Sequence, residues 1–261
     1  MDTFETILFE EKNGAAWITL NRPDRFNAFN EKLSFELKDA LKICKKKEEI
    51  RAVVITGAGK AFCSGQDLKD ISGQKNRSLS DSLYKRYNPL IKSITGLDKP
   101  VIAAVNGVAA GAGCSLALAC DYIVAAETAA FIEVFVNVGL VLDSGSSFFL
   151  PRVVGSKKAF ELATKGSKVK AAEALSLGMV NEVVAADKLH EAVEANLAYY
   201  TKAPTKAIGM IKQMIQRSQQ STLDEMLQYE AYCQEIAGRS EDYQEGVAAF
   251  MEKRKPNFKG Q

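Results

Sequence analysis

The sequence predicts an α/β fold that ends in a helical region. Strand-like apolar runs alternate with segments of helical period up to about residue 185. From Lys157 onward nearly everything has helical patterning, interrupted after Gly178 by one strand, Met179 to Val184. No short repeat, low-complexity tract or linker divides the 261 residues, so one intertwined unit is preferred over two domains. A chain of about 300 residues buries roughly 75% of its unfolded surface, so a substantial core is available.

The elements follow in order. Residues 4–10 and 15–20 are β-rich and flank Asn13-Gly14, a hairpin turn signal. Asn30 can cap a helix on which Leu33, Leu37, Leu41 and Cys44 recur at helical spacing. That helix ends at Lys45, Lys46 and Lys47, which suit a solvated C-terminal turn. Arg51 to Thr56 is a short buried strand closed by Gly57-Ala-Gly59. Residues 72–80 are polar and read as a mobile loop, with a helix following over about 81–96. Val101 to Val105 is an apolar strand. A small-residue stretch, Gly107 to Gly113, then enters a helix over Cys114 to Cys120. Asp121 to Ala125 is a further strand, and residues 131–143 mix β-branched and aromatic residues around Gly139.

Composition excludes several functions. Apolar residues make up 47% and charged residues 25%, the ordinary globular mix, which removes disordered and fibrous classes. A net charge of +2 gives no polyelectrolyte signal for nucleic acid. Five cysteines without a CxxC pair argue against a disulfide framework or structural zinc and fit a reducing compartment. The single histidine, His190, lies in a polar helix, where an exposed surface role suits it better than catalysis. Ser-His-Asp and papain-like sites and multi-histidine zinc sites are therefore poor fits. The N-terminus lacks the basic and apolar regions of a signal peptide, and no run reaches the roughly 20 apolar residues of a membrane span. The expected location is the cytoplasm.

Four segments could carry chemistry. Gly57-Ala-Gly-Lys60 resembles the end of a phosphate-binding loop, but Ala61 stands where Ser or Thr is needed, so a strand-ending turn is the better reading. Ala61 to Leu68 contains Ser64-Gly65-Gln66, where glycine allows close backbone approach and the next amide can act as a donor. A plain loop explains it equally well. Asn106 to Gly113 places small residues at a helix entrance, which suits either exposed N–H donors or tight packing. Asp143 sits in an apolar stretch before Ser144-Gly145. It is either an ordinary helix cap or a desolvated carboxylate of raised basicity. Together, two backbone-donor loops and one buried carboxylate suit chemistry beside a thioester carbonyl, where charge develops on oxygen as an enolate.

These segments and their order resemble the crotonase family, the enoyl-CoA hydratase/isomerase superfamily. The matching stretches are Ile18 to Pro23, Ala61 to Leu68, Lys99 to Gly107, Gly111-Ala-Gly113, Phe131 to Pro151, Gly178 to Glu182 and the tail Phe250 to Phe258. The resemblance implies a spiral of ββα units with a helical C-terminal trimerisation region. It implies an acyl-CoA-binding core over 1–195, helices for oligomerisation over 196–261, and a homotrimer or homohexamer. The coenzyme A thioester would be the substrate, with no separate cofactor and no metal, nucleic-acid or membrane partner. By position the oxyanion amides would fall on Gln66 and Ala112. Ser64, Gly65, Asp67 and Leu68 would line the coenzyme, and Arg22 would lie near its phosphates. Lys255 and Lys259 could reach a neighbouring subunit's ligand.

Departures narrow the chemistry. Where the family's hydratases carry two glutamates, this chain has Ser115 and Phe135. Hydration needs a carboxylate pair, so a hydratase would require another acid such as Glu133. Asp143 instead matches the acid of the family's single-carboxylate isomerases. These include the enoyl-CoA isomerases and, more closely, the phenylacetate-pathway isomerases that rearrange a ring epoxide. Tyr87-Asn-Pro-Leu90, Leu150-Pro-Arg152 and Gly238 to Gly246 carry the second likeness. That group has Pro before the Asp and a Gly pair after it, whereas this chain has Leu142 and Ser144-Gly-Ser-Ser147. The expected function is an acyl-CoA isomerase using Asp143. The alternatives are an enoyl-CoA hydratase or a non-catalytic acyl-CoA-binding scaffold.

Overall fold

The computed structural model describes residues 4–71 and 78–261. Most of the polar stretch expected to be a loop, residues 72–77, lies outside the described residues. The hairpin is present: β1 (Ile7–Lys12) pairs antiparallel with β2 (Ala15–Leu20), and both Asn13 and Gly14 take the positive φ that a two-residue turn requires. Helix α1 (Glu31–Lys46) is capped by the Asn30 side chain, which accepts from the Leu33 amide, and its four expected apolar positions are buried.

From there consecutive strands go to different sheets. β3 (Ala52–Gly57) joins a large sheet and β4 (Ala61–Cys63) a small one. After α2 (Leu68–Ile71), α3 (Leu79–Ser82), a π-helical turn over Leu83–Tyr87 and α4 (Asn88–Thr95), the pattern repeats. β5 (Val101–Val105) enters the large sheet and β6 (Val108–Ala110) the small one, followed by α5 (Ala112–Leu118). β7 (Tyr122–Ala126) and β8 (Ala130–Ile132) do the same, followed by a 3-10 turn over Val134–Val138 and the long helix α6 (Ser146–Lys165). β9 (Lys168–Lys170), α7 (Ala171–Ser176) and β10 (Glu182–Val184) complete the sheets. The large sheet runs β1-β2-β3-β5-β7-β10 and is parallel apart from its first pair; the small one runs β4-β6-β8-β9. This alternation makes a spiral of ββα units, the expected crotonase architecture.

Both faces of the sheet are covered at its inner strands β2, β3, β5 and β7, which are continuous, largely apolar runs. Val53, Ile55, Val101 and Val105 face a core completed by α1, α4 and α5. Val54, Ile102 and Val124 face α8 (Leu189–Tyr200) through Leu189, Val193 and Leu197. Three expectations are corrected here. The helix expected from about residue 81 begins at Leu79, and the helix expected from Lys157 begins at Ser146. In the second case Pro151 and the kink at Gly155 interrupt the helical pattern of residues 146–156. The strand expected over Met179 to Val184 is confined to Glu182–Val184.

The last helices, α9 (Thr205–Ser218), α10 (Leu223–Ala237) and α11 (Glu241–Met251), include one tie deep into the spiral. Lys212 on α9 is buried, and its ammonium donates to the carbonyls of Ile94 and Lys99 and to Asp121 Oδ2 at 2.7 Å. The same Asp121 oxygen accepts the Val101 amide. Among the described residues no helix is long and apolar enough to cross a membrane. Replacing Lys212 with Met would leave the carbonyls of Ile94 and Lys99 without their donor and the partly exposed Asp121 without its counter-charge, which costs about 1–3 kcal/mol. Urea unfolding of Lys212→Met should show that loss, and Lys212→Met/Asp121→Asn should recover part of it.

Candidate active site

The sequence brings two turns together by omitting side chains. β4 and β6 pair in parallel, Ala61 with Val108 and Cys63 with Ala109, so the turns that follow them lie side by side. A Cβ on Gly113 would lie 2.1 Å from the Cys63 carbonyl oxygen, and one on Gly65 would lie 2.8 Å from that of Ala110. Only glycine permits this approach. The same Gly65 position is 3.5 Å from the Ala112 nitrogen, so the Ser64-Gly65-Gln66 turn and the start of α5 share one wall.

That wall faces a cavity of about 320 Å³. Ser64, Gly65, Gln66, Leu68, Ala112 and Asp143 all line it, as expected from the sequence. The Gln66 side chain is committed elsewhere. Its Nε2 donates to the Phe29 carbonyl, and its Oε1 accepts from the Tyr87 hydroxyl at 2.6 Å and from Arg86. What Gln66 can offer the cavity is therefore its main chain. Ala112 opens α5, and the first N–H groups of a helix have no acceptor within the helix.

Asp143 comes from the opposite side, on the segment between the 3-10 turn and α6. It does not cap α6 with its side chain: the N-cap is Gly145, with no side-chain capping bond. A tight turn follows it instead. Ser144 (φ 51) and Gly145 (φ 84) are both left-handed, and the Ser146 amide donates to the Asp143 carbonyl at 2.9 Å. A left-handed Ser costs about 1 kcal/mol. The Ser115 hydroxyl donates to that carbonyl as well, at 3.2 Å. Burial raises the proton affinity of the Asp143 carboxylate, partly offset by a hydrogen bond from the Ser144 hydroxyl at 2.8 Å. No cation pairs with it among the described residues. It is thus a half-buried carboxylate with raised basicity beside two backbone turns.

Two predicted site residues are placed otherwise. Arg22 and Asp67 are not in the cavity wall; the Arg22 guanidinium donates to Asp67 Oδ2 at 2.9 Å in a largely buried ion pair. Burial alone would raise the Asp67 carboxyl, but Arg22 and the amides of Asp70 and Lys69 hold it below the usual range. The pair clamps the chain before α1 to the turn after β4, so neither charge faces the cavity. Phe135 lines the cavity, whereas Glu133 lies behind it, 3% exposed. His190 stacks on Trp17 on the outer face of α8, and all five cysteines are free. Burial pushes the Cys63 thiol up to about 12, so it is no nucleophile.

The remaining wall was not assigned from sequence. Leu79, Leu83 and Tyr87 come from the helical segment carrying the π turn, and Val134 to Leu142 from the segment before Asp143. Their one sequence signal was the clustering of β-branched and aromatic residues after Phe131, since π turns leave no periodic trace. Leu68, Leu79, Val138, Leu140 and Val141 are apolar yet exposed around the cavity, Val141 at 83%.

Comparison with known proteins shows what the chain and its fold are similar to. Residues 10–261 match the family model described as enoyl-CoA hydratase/isomerase. The chain is 42% identical to the 1,2-epoxyphenylacetyl-CoA isomerase of Escherichia coli K12, covering 98% of this chain and 99% of that one. It is 40% identical to a Rhodobacter capsulatus protein named "Probable enoyl-CoA hydratase", covering 99% of each. The crystal structure of enoyl-CoA hydratase from Bacillus anthracis superposes with a TM-score of 0.94 at 32% identity, covering 98% of this chain and all of that one. The chain belongs to the enoyl-CoA hydratase/isomerase family.

Proposed function

We propose that the protein is an acyl-CoA isomerase in which Asp143 moves a proton between two carbons of the acyl group. The observation that carries this reading is Asp143 itself, a desolvated carboxylate lining the same cavity as Gln66 and Ala112, across from them. The amides of Gln66 and Ala112 would hold the thioester oxygen. As Asp143 removes a proton beside the carbonyl, the bond electrons move into an enolate, and those amides stabilise the negative oxygen. The carboxylic acid so formed returns the proton to another carbon, which shifts a double bond; rearrangement of a ring epoxide is the other outcome of this chemistry. One carboxylate suffices because removal and return share it, and no further cofactor is needed.

The apolar wall favours isomerisation over hydration. Hydration requires a second acid to orient and protonate water. At the two positions that carry glutamates in hydratases this chain has a serine bonded to the Asp143 carbonyl and a phenylalanine in the wall. Apolar lining from Leu83, Phe135 and Leu142 suits the acyl chain or ring, and the exposed Leu68 and Val141 suit the pantetheine arm. The 42%-identical relative named as a ring-epoxide isomerase supports the same branch. A cytoplasmic site of action fits the free cysteines.

Asp143→Asn keeps the shape and removes the base, so turnover should fall at least about 100-fold. Because it also removes a charge that folding desolvates, its Tm at neutral pH should rise rather than fall. Unchanged turnover would overturn the assignment. The pH profile of kcat/KM carries a second expectation. Asp143 must start ionised and its proton affinity is raised, so activity should be lost on acidification at a higher pH than an exposed aspartate would give. An acid limb at or below the exposed-aspartate range would contradict a desolvated base.

A further inference from the structure

We propose that Glu133 is a positioning residue for Asp143, acting from behind the cavity wall through Ser146. The inference rests on the reading of Asp143 as the acid–base group. Glu133 lies between β8 and the 3-10 turn and does not line the cavity. Its Oε1 accepts the Ser146 hydroxyl at 2.6 Å in a fully buried bond. Ser146 is the first residue of α6, and its amide closes the turn onto the Asp143 carbonyl. A single chain of hydrogen bonds therefore runs from Glu133 through Ser146 to the catalytic turn. The Ser115 hydroxyl braces the same carbonyl from α5. Because Ser144 holds that turn in a left-handed conformation, it needs outside support to keep one geometry.

The chemical state of Glu133 follows from its surroundings. Its Oε2 is buried without a hydrogen-bond partner among the described residues, an unsuitable place for an ionised oxygen. Burial pushes its proton affinity up, and the nearby Asp143 charge pushes the same way, against the Ser146 hydrogen bond and the neighbouring Cys114 thiol. A neighbouring negative charge adds to the cost of ionising a buried carboxyl. Both carboxyls are pushed toward the neutral form, and Glu133 is the more deeply buried of the two. A neutral acid accepts the Ser146 bond without placing a second negative charge beside the base. The titratable groups around Asp143 are Glu133, Cys114 behind it on α5, whose thiol burial keeps protonated, and Tyr87 across the cavity.

The test compares kcat, KM and pH profile for Glu133→Ala, Glu133→Gln, Ser146→Ala and Asp143→Asn on one turned-over acyl-CoA ester. Circular dichroism and Tm first establish that each variant is folded. Removing the acceptor in Glu133→Ala, or the link in Ser146→Ala, should lower kcat by about 10- to 100-fold through misplacement of the base, with KM within about threefold. Glu133→Gln keeps a neutral acceptor for Ser146. It should restore kcat to within about threefold of the parent, with the acid limb unmoved. Parent-like kcat in Glu133→Ala together with an inactive Asp143→Asn overturns the positioning role and leaves the Asp143 reading intact. Loss of kcat in Glu133→Gln as deep as in Glu133→Ala, or a shifted acid limb, overturns it in favour of a proton-carrying second acid. If Glu133→Ala does not fold, Ser146→Ala and Glu133→Gln decide by the same criteria. An active Asp143→Asn overturns both readings, because Glu133 then has no base to position.

Discussion

The pairing of β4 with β6 sets the distance on which the site depends. Each strand has three residues, and each ends in a turn whose backbone faces the cavity. The glycines at 65 and 113 let main chain touch main chain, as a Cβ at either position would overlap a carbonyl group. Donors spaced by a sheet ladder cost little reorganisation during reaction, which is the condition for strong electrostatic stabilisation of a developing oxyanion. The large sheet carries no cavity residue itself; it holds the small sheet in place through the spiral. Arg22 and Asp67 contribute to the same end, since their buried ion pair pins the turn after β4 to the chain before α1.

The opposite wall is built on different physics. Where backbone pairing makes the donor side rigid, the Asp143 side is a strained turn braced by side chains. Ser115 and Ser144 supply small hydroxyls that bond to Asp143, and the Ser146 hydroxyl ties the turn back to Glu133. Burial makes Asp143 a stronger base and also destabilises the folded state through its desolvated charge, which under the proposed role would be a trade of stability for activity. Ser115 occupies a position where the resemblance places a hydratase glutamate. Here its hydroxyl donates to the Asp143 carbonyl instead.

How much of this was legible follows from length and periodicity. The buried parallel strands Ala52–Gly57 and Val101–Val105 read clearly, because both faces are covered and the runs are uniformly apolar. Asn13-Gly14 and the Asn30 cap read clearly because their local chemistry decides them. The small sheet did not, because three residues are too few to show a period: Val108-Ala-Ala110 read only as part of a small-residue stretch before a helix. Residues 146–156 of α6 were hidden by Pro151 and Gly155. Gln66, Ala112 and Asp143, singled out in the sequence by glycine-flanked turns and an isolated aspartate, line one cavity. Leu79, Leu83 and Tyr87 were not singled out as site residues, since only tertiary packing turns their helical segment toward the cavity. The pairing of Arg22 with Asp67 was equally invisible, being a contact between residues 45 positions apart.

In the proposed reaction one carboxylate beside two backbone donors rearranges an acyl-CoA without adding water. The most direct measurement incubates the protein with a 3-enoyl-CoA, a 2-enoyl-CoA and ring-epoxidised phenylacetyl-CoA and follows each product by chromatography and mass. A product of new retention and unchanged mass is expected from at least one of the first and third esters. Gain of one water by the 2-enoyl ester, with no isomer from the others, would contradict it and make the protein a hydratase.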